Sequence, residues 1–273
     1  MLLVIDVGNS EICFGTFDLN NHFQDTSIVE RGRFSTTEFR DNINRDEILK
    51  ASLTNQIVHW EKITNILISC VAPSVLSHLK IFCYKFLKCS PLVLGEDMSF
   101  PTQALIDNPL EAGADLRVNS FAAHIFYQGP LMLLGFGTAT TFSLVNDQGD
   151  FCGTAIAPGI GVMSQALPRV ATHLPQIDFK KPASPLGLNT VDAMESGLFW
   201  GYISLIKGLI EQLQPYNHKC VLKGSDLIKP LKVIATGGYA AYVAPHCADI
   251  EIIDSDLTLK GLALIFKTKL KGK

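Results

Sequence analysis

Two short turns rich in glycine, hydroxyl and amide side chains stand out in this chain of 273 residues. They are Asp6-Val7-Gly8-Asn9-Ser10 and Gly135-Phe136-Gly137-Thr138-Ala139. Each turn follows an apolar run and leads into another, a pattern that predicts strand, tight turn and strand. Glycine lets the backbone approach an anion, Asn, Ser and Thr donate hydrogen bonds to phosphate oxygens, and a carboxylate can hold a hydrated divalent metal. Two such turns facing each other would clamp the phosphates of a nucleotide.

The elements that must position these turns alternate between strands and helices. In the first half the sequence predicts strands over 2–5, 12–17, 31–35, 66–70 and 92–94, and helices over 45–57 and 74–87. A helix over 111–127 is expected to carry the chain into the second half. There the pattern predicts strands over 131–134, 140–146, 151–157 and 232–235, and helices over 161–171 and 190–213. This alternation is typical of an α/β architecture.

Composition excludes several classes of protein. The chain carries 23 basic and 26 acidic residues, so its net charge of -3 gives no electrostatic argument for nucleic acid or an anionic membrane as partner. Seven scattered cysteines without a C-x-x-C pair favour a reduced, cytoplasmic protein. No signal-peptide pattern and no uncharged apolar run long enough to span a membrane occurs. The basic tail over 267–273 is predicted to be a solvated end.

Seven motifs occur in the order typical of one kinase family. They are Asp6-x-Gly-Asn-Ser; Asn108-Pro109 followed by Gly113-Ala114-Asp115; Gly137-Thr138-Ala139-Thr140-Thr141-Phe142; Pro158-Gly159-Ile160-Gly161; Gly187-x-Asn189-Thr190-x-x-Ala193-Met194-x-Ser196-Gly197; Ala235-Thr236-Gly237-Gly238; and Asp256-Leu257-Thr258-Leu259-Lys260-Gly261-Leu262. Each match is weak alone, but the ordered set is specific. On these motifs the chain resembles the type III pantothenate kinases almost end to end. The resemblance implies two actin-like domains of the acetate and sugar kinase/Hsc70/actin superfamily (ribonuclease H-like), over 1–117 and 118–273, with a cleft between them.

The resemblance also implies an activity, the ATP-dependent phosphorylation of pantothenate to 4'-phosphopantothenate, which opens coenzyme A biosynthesis. The implied base near the pantothenate hydroxyl is Asp115, and the implied magnesium ligand is Asp6. The implied nucleotide contacts are Asp6, Val7, Gly8, Asn9, Ser10, Gly137, Thr138, Gly237 and Gly238. The implied substrate contacts are Gly113, Ala114, Asp115, Leu116 and Thr190.

The resembled kinases are dimers, which implies a homodimer here. We expect its contacts on the second domain around the helix over 190–213. The apolar residues there exceed what one helix face needs, and they are Leu198, Phe199, Trp200, Tyr202 and Ile203.

Three positions depart from the family pattern. Leu116 stands where the family has an Arg that helps bind substrate, and Arg117 follows one place later, turned by about 100° on a helix. Ile106 replaces a Tyr that contacts substrate. Gly135 replaces a carboxylate that helps bind a monovalent cation such as potassium or ammonium. These departures bear on substrate affinity and on cation dependence.

Structural roles compete with each of these assignments. Asp6 could cap a turn, Asp115 could stabilise a helix dipole, and Thr190 could be the N-cap of the long helix. Asn9, Ser10, Thr138, Gly237 and Gly238 could be ordinary turn or strand residues.

Two other functions of the protein stay open. One is a non-catalytic nucleotide-binding or regulatory relative, similar to a transcriptional accessory factor. The other is a kinase for a related pantothenamide or another small hydroxy acid.

Overall fold

The computed structural model describes residues 1–41, 44–171, 173–219 and 231–271. The chain forms two compact units, Met1–Phe126 together with Asp256–Lys273, and Tyr127–Ser255. We call them unit 1 and unit 2. The division differs from the predicted boundary between 117 and 118, because the chain leaves unit 1 at the end of a helix and returns to it for the last segment. Each unit contains one five-stranded sheet.

Unit 1 is built on a mixed sheet in the order β3-β2-β1-β4-β5. Its strands are β1 (Leu2–Val7), β2 (Glu11–Phe17), β3 (Glu30–Ser35), β4 (Asn65–Cys70) and β5 (Leu92–Val93). Its helices are α1 (Thr36–Asp41), α2 (Arg45–Gln56), α3 (Pro73–Phe86), α4 (Ala114–Tyr127) and α8 (Leu257–Lys271). Strand β1 pairs antiparallel with β2 and parallel with β4, which places it at the centre of the sheet.

Both faces of β1 are covered, which explains its nearly continuous apolar run. Leu3 and Ile5 join a core cluster with the apolar residues of α1, α2 and α3. Leu2 and Val4 point to the opposite face, where they pack with residues of α4 and α8. Because side chains alternate along a strand, Asp6 continues the face of Leu2 and Val4. The helices α4 and α8, which pack on this face, therefore determine the environment of the Asp6 side chain.

Unit 2 repeats the arrangement with a sheet in the order β10-β9-β6-β7-β8. Its strands are β6 (Leu131–Phe136), β7 (Ala139–Val145), β8 (Phe151–Pro158), β9 (Lys232–Thr236) and β10 (Ile252–Ile253). Its helices are α5 (Ile160–Val170), α6 (Thr190–Leu213) and α7 (Ala240–Val243). The core lies between this sheet and α6.

The predicted strands and helices all occur, with ends shifted by a few residues, whereas α1, α7, α8 and β10 were not predicted. The prediction of a solvated basic tail was wrong for its first residue, Lys267. Lys267 is buried on α8, and its Nζ donates to the backbone oxygens of His22 at 3.0 Å and Asp25 at 2.7 Å. Residues 272–273 of that tail lie outside the described residues.

The predicted surface for dimer contacts also needs correction. Leu198, Phe199, Tyr202 and Ile203 are buried inside unit 2, and Trp200 is partly buried against the same core. These residues pack on the sheet and on the loop that carries Phe179, so they offer little surface to a partner.

The six described cysteines are free, and Cys220 lies outside the described residues. Within the described part of the chain, no helix is long and apolar enough to cross a membrane.

Candidate active site

The first predicted turn joins β1 to β2 and is held by backbone contacts. The N–H of Gly8 donates to the backbone oxygen of Glu11 at 2.9 Å, and a Cβ on Gly8 would lie 2.9 Å from the same oxygen. At the start of α1, Thr36 donates its hydroxyl to the Gly8 oxygen at 2.8 Å and its N–H to the Ser10 oxygen at 2.9 Å. Asn9 and Ser10 are exposed. The backbone of the turn is thus fixed, and its polar side chains are accessible.

Asp6 lies in a row of polar residues across the sheet of unit 1. The strand register places Cys13 of β2 on one side of Asp6 and Ser69 of β4 on the other. Burial raises the pKa of Asp6 from 3.8 to about 7, the negative charge of Asp115 adds to the rise, and the Ser69 hydroxyl opposes it. That hydroxyl is buried without a hydrogen-bond partner of normal geometry among the described residues. The row therefore contains one hydroxyl, that of Ser69, which contacts with other described residues leave poorly satisfied.

Asp115 lies near the N-terminus of a helix, as predicted, and the later start of α4 puts it in the first turn. Burial raises the pKa of Asp115, against the backbone N–H groups of Leu116 and Asp115, which lower it. A Cβ on Gly113 would lie 2.6 Å from Asp115 Oδ1, so the glycine leaves room for the carboxylate. The chain reaches α4 through a tight turn in which Asn108 Oδ1 accepts the N–H of Leu110 at 3.2 Å. This approach fixes the start of the helix and hence the carboxylate.

Asp6 and Asp115 form an acidic pair that has no basic partner among the described residues. No lysine or arginine of the described residues is among the groups that set either pKa. The pair therefore favours a proton or an external cation. No described group of three or more His, Cys, Asp or Glu side chains is arranged to hold a metal by itself. One or two carboxylates are what magnesium uses when phosphates and water supply its other ligands.

Arg117 is committed to a structural role. Its guanidinium stacks on the Phe100 ring, 3.8 Å from the centroid, and donates to the Thr102 oxygen at 2.7 Å. Its Nε is buried without a hydrogen-bond partner in the described part of the chain. Leu116 therefore places an aliphatic side chain next to Asp115. The guanidinium of Arg117 does not replace that of the Arg which the family has at position 116.

In unit 2 the second predicted turn joins β6 to β7 and is flanked by two glycine turns. The N–H of Gly137 donates to the Ala139 oxygen at 3.1 Å, and that of Gly159 donates to the Thr138 oxygen at 3.1 Å. A Cβ on Gly159 would collide with the backbone oxygens of Gly137 and Thr138. Gly237 has a φ of 92°, and a Cβ there would lie 2.5 Å from the Phe136 oxygen. The turns after β6, β8 and β9 are thus packed backbone to backbone.

The residues of the second turn and of the neighbouring Gly237-Gly238 turn differ in their exposure. Thr138 and Gly238 are exposed, whereas Thr140 is buried and its Oγ1 lies 2.6 Å from Tyr202 Oη. Gly135 is paired with Thr141, and a Cβ on Gly135 would lie 2.6 Å from Thr141 Oγ1. The Thr141 hydroxyl therefore fills the space beside the position where the family has a carboxylate.

Thr190 is the first residue of α6 and is exposed. The N-cap is Asn189, whose Oδ1 accepts the N–H of Asp192 at 3.0 Å, so the capping role considered for Thr190 falls to its neighbour. Thr190 lines a largely apolar cavity of about 640 Å³ between α5 and α6. Its other walls include Met163, Leu167, Ile177 and Met194.

Sequence reasoning missed two residues that shape the first turn, Ser69 and Thr36. Ser69 follows a buried apolar run, and this is the signal that identified Asp6 at the end of β1. Its place beside Asp6 depends on the parallel pairing of β1 with β4, which local sequence does not specify. Thr36 carries no comparable signal.

Comparison with known structures defines the class of fold. A glucokinase of the ROK family from Streptomyces griseus, solved with glucose and AMPPNP, aligns with a TM-score of 0.54 at 10% identity, over 96% of this chain and 97% of that one. A Campylobacter jejuni protein solved as a candidate transcriptional activator of the Baf family aligns with a TM-score of 0.56 at 18% identity, over 98% and 99% of the two chains. At these identities the alignments show the fold alone. The fold is that of the actin-like ATPases and sugar kinases, as predicted.

Comparison with known sequences defines the family. The family model for type III pantothenate kinases matches residues 2–212. The type III pantothenate kinase of Paramagnetospirillum magneticum is 38% identical over 268 residues, covering 98% of this chain and 97% of that protein. The one of Halalkalibacterium halodurans is 36% identical over 267 residues, covering 98% and 99%. The chain belongs to the type III pantothenate kinase family.

Proposed function

We propose that this protein transfers the γ-phosphoryl group of ATP to pantothenate and forms 4'-phosphopantothenate, the first step of coenzyme A biosynthesis. Family membership over the whole chain supports this activity. The observation that carries it is the pair of Asp6 and Asp115, whose pKa values are raised by burial. A half-buried acidic pair that has no basic partner among the described residues is costly, and a protein that had lost the activity would have no physical reason to keep it.

In the proposed reaction Asp115 accepts the proton of the pantothenate hydroxyl. The hydroxyl oxygen then bonds to the γ-phosphorus, the bond to the bridging oxygen breaks, and ADP leaves with the electron pair. A raised pKa makes Asp115 a stronger base than a solvated carboxylate. Phosphoryl transfer depends mainly on positioning and charge neutralisation, so few side chains are required.

The other assignments follow the two turns and the start of α4. In unit 1 the proposed nucleotide contacts are Asp6, Val7, Gly8, Asn9 and Ser10. In unit 2 they are Gly137, Thr138, Gly237 and Gly238. The proposed substrate contacts are Gly113, Ala114, Asp115, Leu116 and Thr190.

Magnesium would be held by Asp6 together with phosphate oxygens and water. The acidic pair fits this ion, since no described lysine or arginine neutralises it. Magnesium would supply positive charge that neutralises the phosphate oxygens. The protein side chains then need only fix the acceptor and remove its proton.

We also propose that the activity depends weakly on potassium or ammonium. Gly135 supplies no carboxylate, and the neighbouring Thr141 Oγ1 is a neutral ligand that competes poorly with hydration.

We propose a cytoplasmic location, because the described cysteines are free and the net charge of the chain is only -3.

We further propose a homodimer whose contacts on unit 2 are made by other residues than the apolar residues of α6 named in the prediction. Exposed aliphatic side chains are concentrated on α5, on the loop before α6 and on the first residues of α6. They are Val162, Leu167, Val170, Leu186, Leu188 and Val191. Such a concentration exceeds the scattered apolar residues normal on a monomer surface, and a second copy is the partner that the family resemblance implies.

A coupled assay of ADP formation, with and without pantothenate, tests the activity. We expect ADP release that requires pantothenate and a product heavier by one phosphoryl group in mass spectrometry. Binding of ATP without pantothenate-dependent turnover would identify the non-catalytic alternative instead. Turnover with pantothenamides but not with pantothenate would identify the third possibility.

A further inference from the structure

Leu116 stands beside the carboxylate of the proposed base. Asp115 Oδ1 lies 2.6 Å, and Leu116 Cγ 3.7 Å, from the point that a Cβ on Gly113 would occupy. The two side chains therefore border the same small space, which Gly113 leaves open. Both are partly accessible, so a bound molecule can reach them together.

The side chain that borders this space with Asp115 is apolar, since it belongs to Leu116. Arg117, the next residue of α4, is held by Phe100 and Thr102 and does not supply a charge there. An isobutyl side chain beside a base favours an acceptor whose hydroxyl is attached to an apolar group. In pantothenate the reacting hydroxymethyl group is bonded to a carbon that carries two methyl groups.

We propose that Leu116 forms the contact for this dimethyl carbon and so determines the preference for the acceptor. The inference rests on the proposed function and deepens it. When the methyl groups pack on the Leu116 side chain, the neighbouring hydroxyl is directed toward Asp115. The residue acts through contact with the substrate and takes no part in proton transfer.

The test compares pantothenate with its analogue in which hydrogens replace both methyl groups. The kcat/KM of each is measured for the wild type and for Leu116→Ala, Leu116→Met and Leu270→Ala. Leu270 is an exposed leucine of α8 and serves as the matched control. Melting temperatures of all four proteins verify folding.

We expect the wild type to prefer pantothenate by about tenfold, and Leu116→Ala to lose about tenfold on pantothenate but less than about twofold on the analogue. Leu116→Met, with an apolar side chain of similar volume, should restore the preference, and Leu270→Ala should not change it. An equal loss on both compounds in Leu116→Ala, or a wild type without preference, would overturn the inference while leaving the proposed function intact. A wild type that phosphorylates neither compound would overturn both.

Discussion

Asp115 is the residue on which turnover should depend most directly. We expect Asp115→Asn to lower kcat by about 10²- to 10⁴-fold, because Asn keeps the shape of the side chain but cannot accept the hydroxyl proton. Nucleotide binding, measured by calorimetry, should be retained. The exposed Asp107→Asn is the matched control and should behave as the wild type. A variant Asp115→Asn with the wild-type rate would disprove the base assignment.

Asp6 should make the ligand-free protein less stable at neutral and higher pH. Its pKa is about 7 in the folded state against 3.8 for the ordinary group, so the unfolded chain releases the proton more readily. The free energy of unfolding therefore falls as the pH rises from about 4 to about 7 and stays low above this range. Asp6→Asn removes the ionisation, and it should raise Tm relative to the wild type at pH 8 but hardly at pH 4.

Thermal unfolding without nucleotide or magnesium measures this difference. We expect a gain of at least about 2 °C at pH 8, the shift that about 1 kcal/mol gives in a domain of roughly 150 residues. In the presence of magnesium and ATP the wild type should have the higher Tm of the two proteins. The ligands bind the Asp6 carboxylate but bind Asn poorly, so they stabilise the wild type more. A Tm difference that is the same at every pH would show that the ionisation of Asp6 is not the cause.

Gly135 should make activity nearly insensitive to potassium. Titration of potassium against sodium or choline at constant ionic strength measures this, and steep activation specific to potassium would contradict it. Gly135→Asp should introduce dependence on potassium. The backbone at Gly135 is outside the left-handed region that would exclude Asp, but its Cβ would meet Thr141 Oγ1 at 2.6 Å. The double variant Gly135→Asp, Thr141→Ala relieves this contact and should show the stronger effect.

At the scale of elements, the glycine turn after β9 should be needed to fix the second phosphate turn. Gly237→Ala forces a side chain into a φ of 92° and against the Phe136 oxygen. We expect it to lower the free energy of unfolding by more than about 1 kcal/mol and to weaken nucleotide binding.

Gly161→Ala provides the control, because a Cβ on this residue of α5 has no neighbour within 4 Å. It should be neutral or stabilise slightly, since Ala favours helix more than Gly does. Urea unfolding measures both variants. Equal stability of the two proteins would show that close packing of the turns is unimportant.

The elements that sequence predicted are those whose signal is local. The apolar runs of β1 and β6 end at polar turns, and both strands lie where the pattern placed them. The helix α8 was missed because the lysines over 267–273 are typical of a solvated end. Gly261 allows α8 to pack closely on Val118 and Ala122 of α4, where a Cβ would lie 2.8 and 2.9 Å from their side chains.

The same limit applies to the site. The motifs predicted Asp6 and Asp115, and the helical pattern over 111–127 placed Asp115 near the N-terminus of a helix, where the structure also has it. They did not predict Ser69, whose position depends on strand pairing. The apolar residues of α6 were assigned to a surface because the partners that bury them, such as Phe179, are distant in sequence.

At the scale of the whole molecule, we expect a dimer by light scattering at micromolar concentration. Leu188 and Val170 are 91% and 87% exposed on the proposed surface, so Leu188→Glu combined with Val170→Glu should give a folded monomer. Val58→Glu, at a residue of unit 1 that is 72% exposed, is the control and should stay dimeric. A wild type that is monomeric would contradict the proposal.

The division of unit 1 between Met1–Phe126 and Asp256–Lys273 affects how the protein is made on the ribosome. Unit 2 is one continuous segment and has all its strands once Ser255 has been synthesised. The face of β1 that carries Leu2 and Val4 lacks its covering helix α8 until Leu257–Lys271 has been synthesised. At typical rates of synthesis, the interval between the synthesis of β1 and that of α8 is on the order of 10 s or longer. During this interval an apolar surface of unit 1 stays available to chaperones. The Asp6 turn is thus translated well before the helix that completes the packing of its strand.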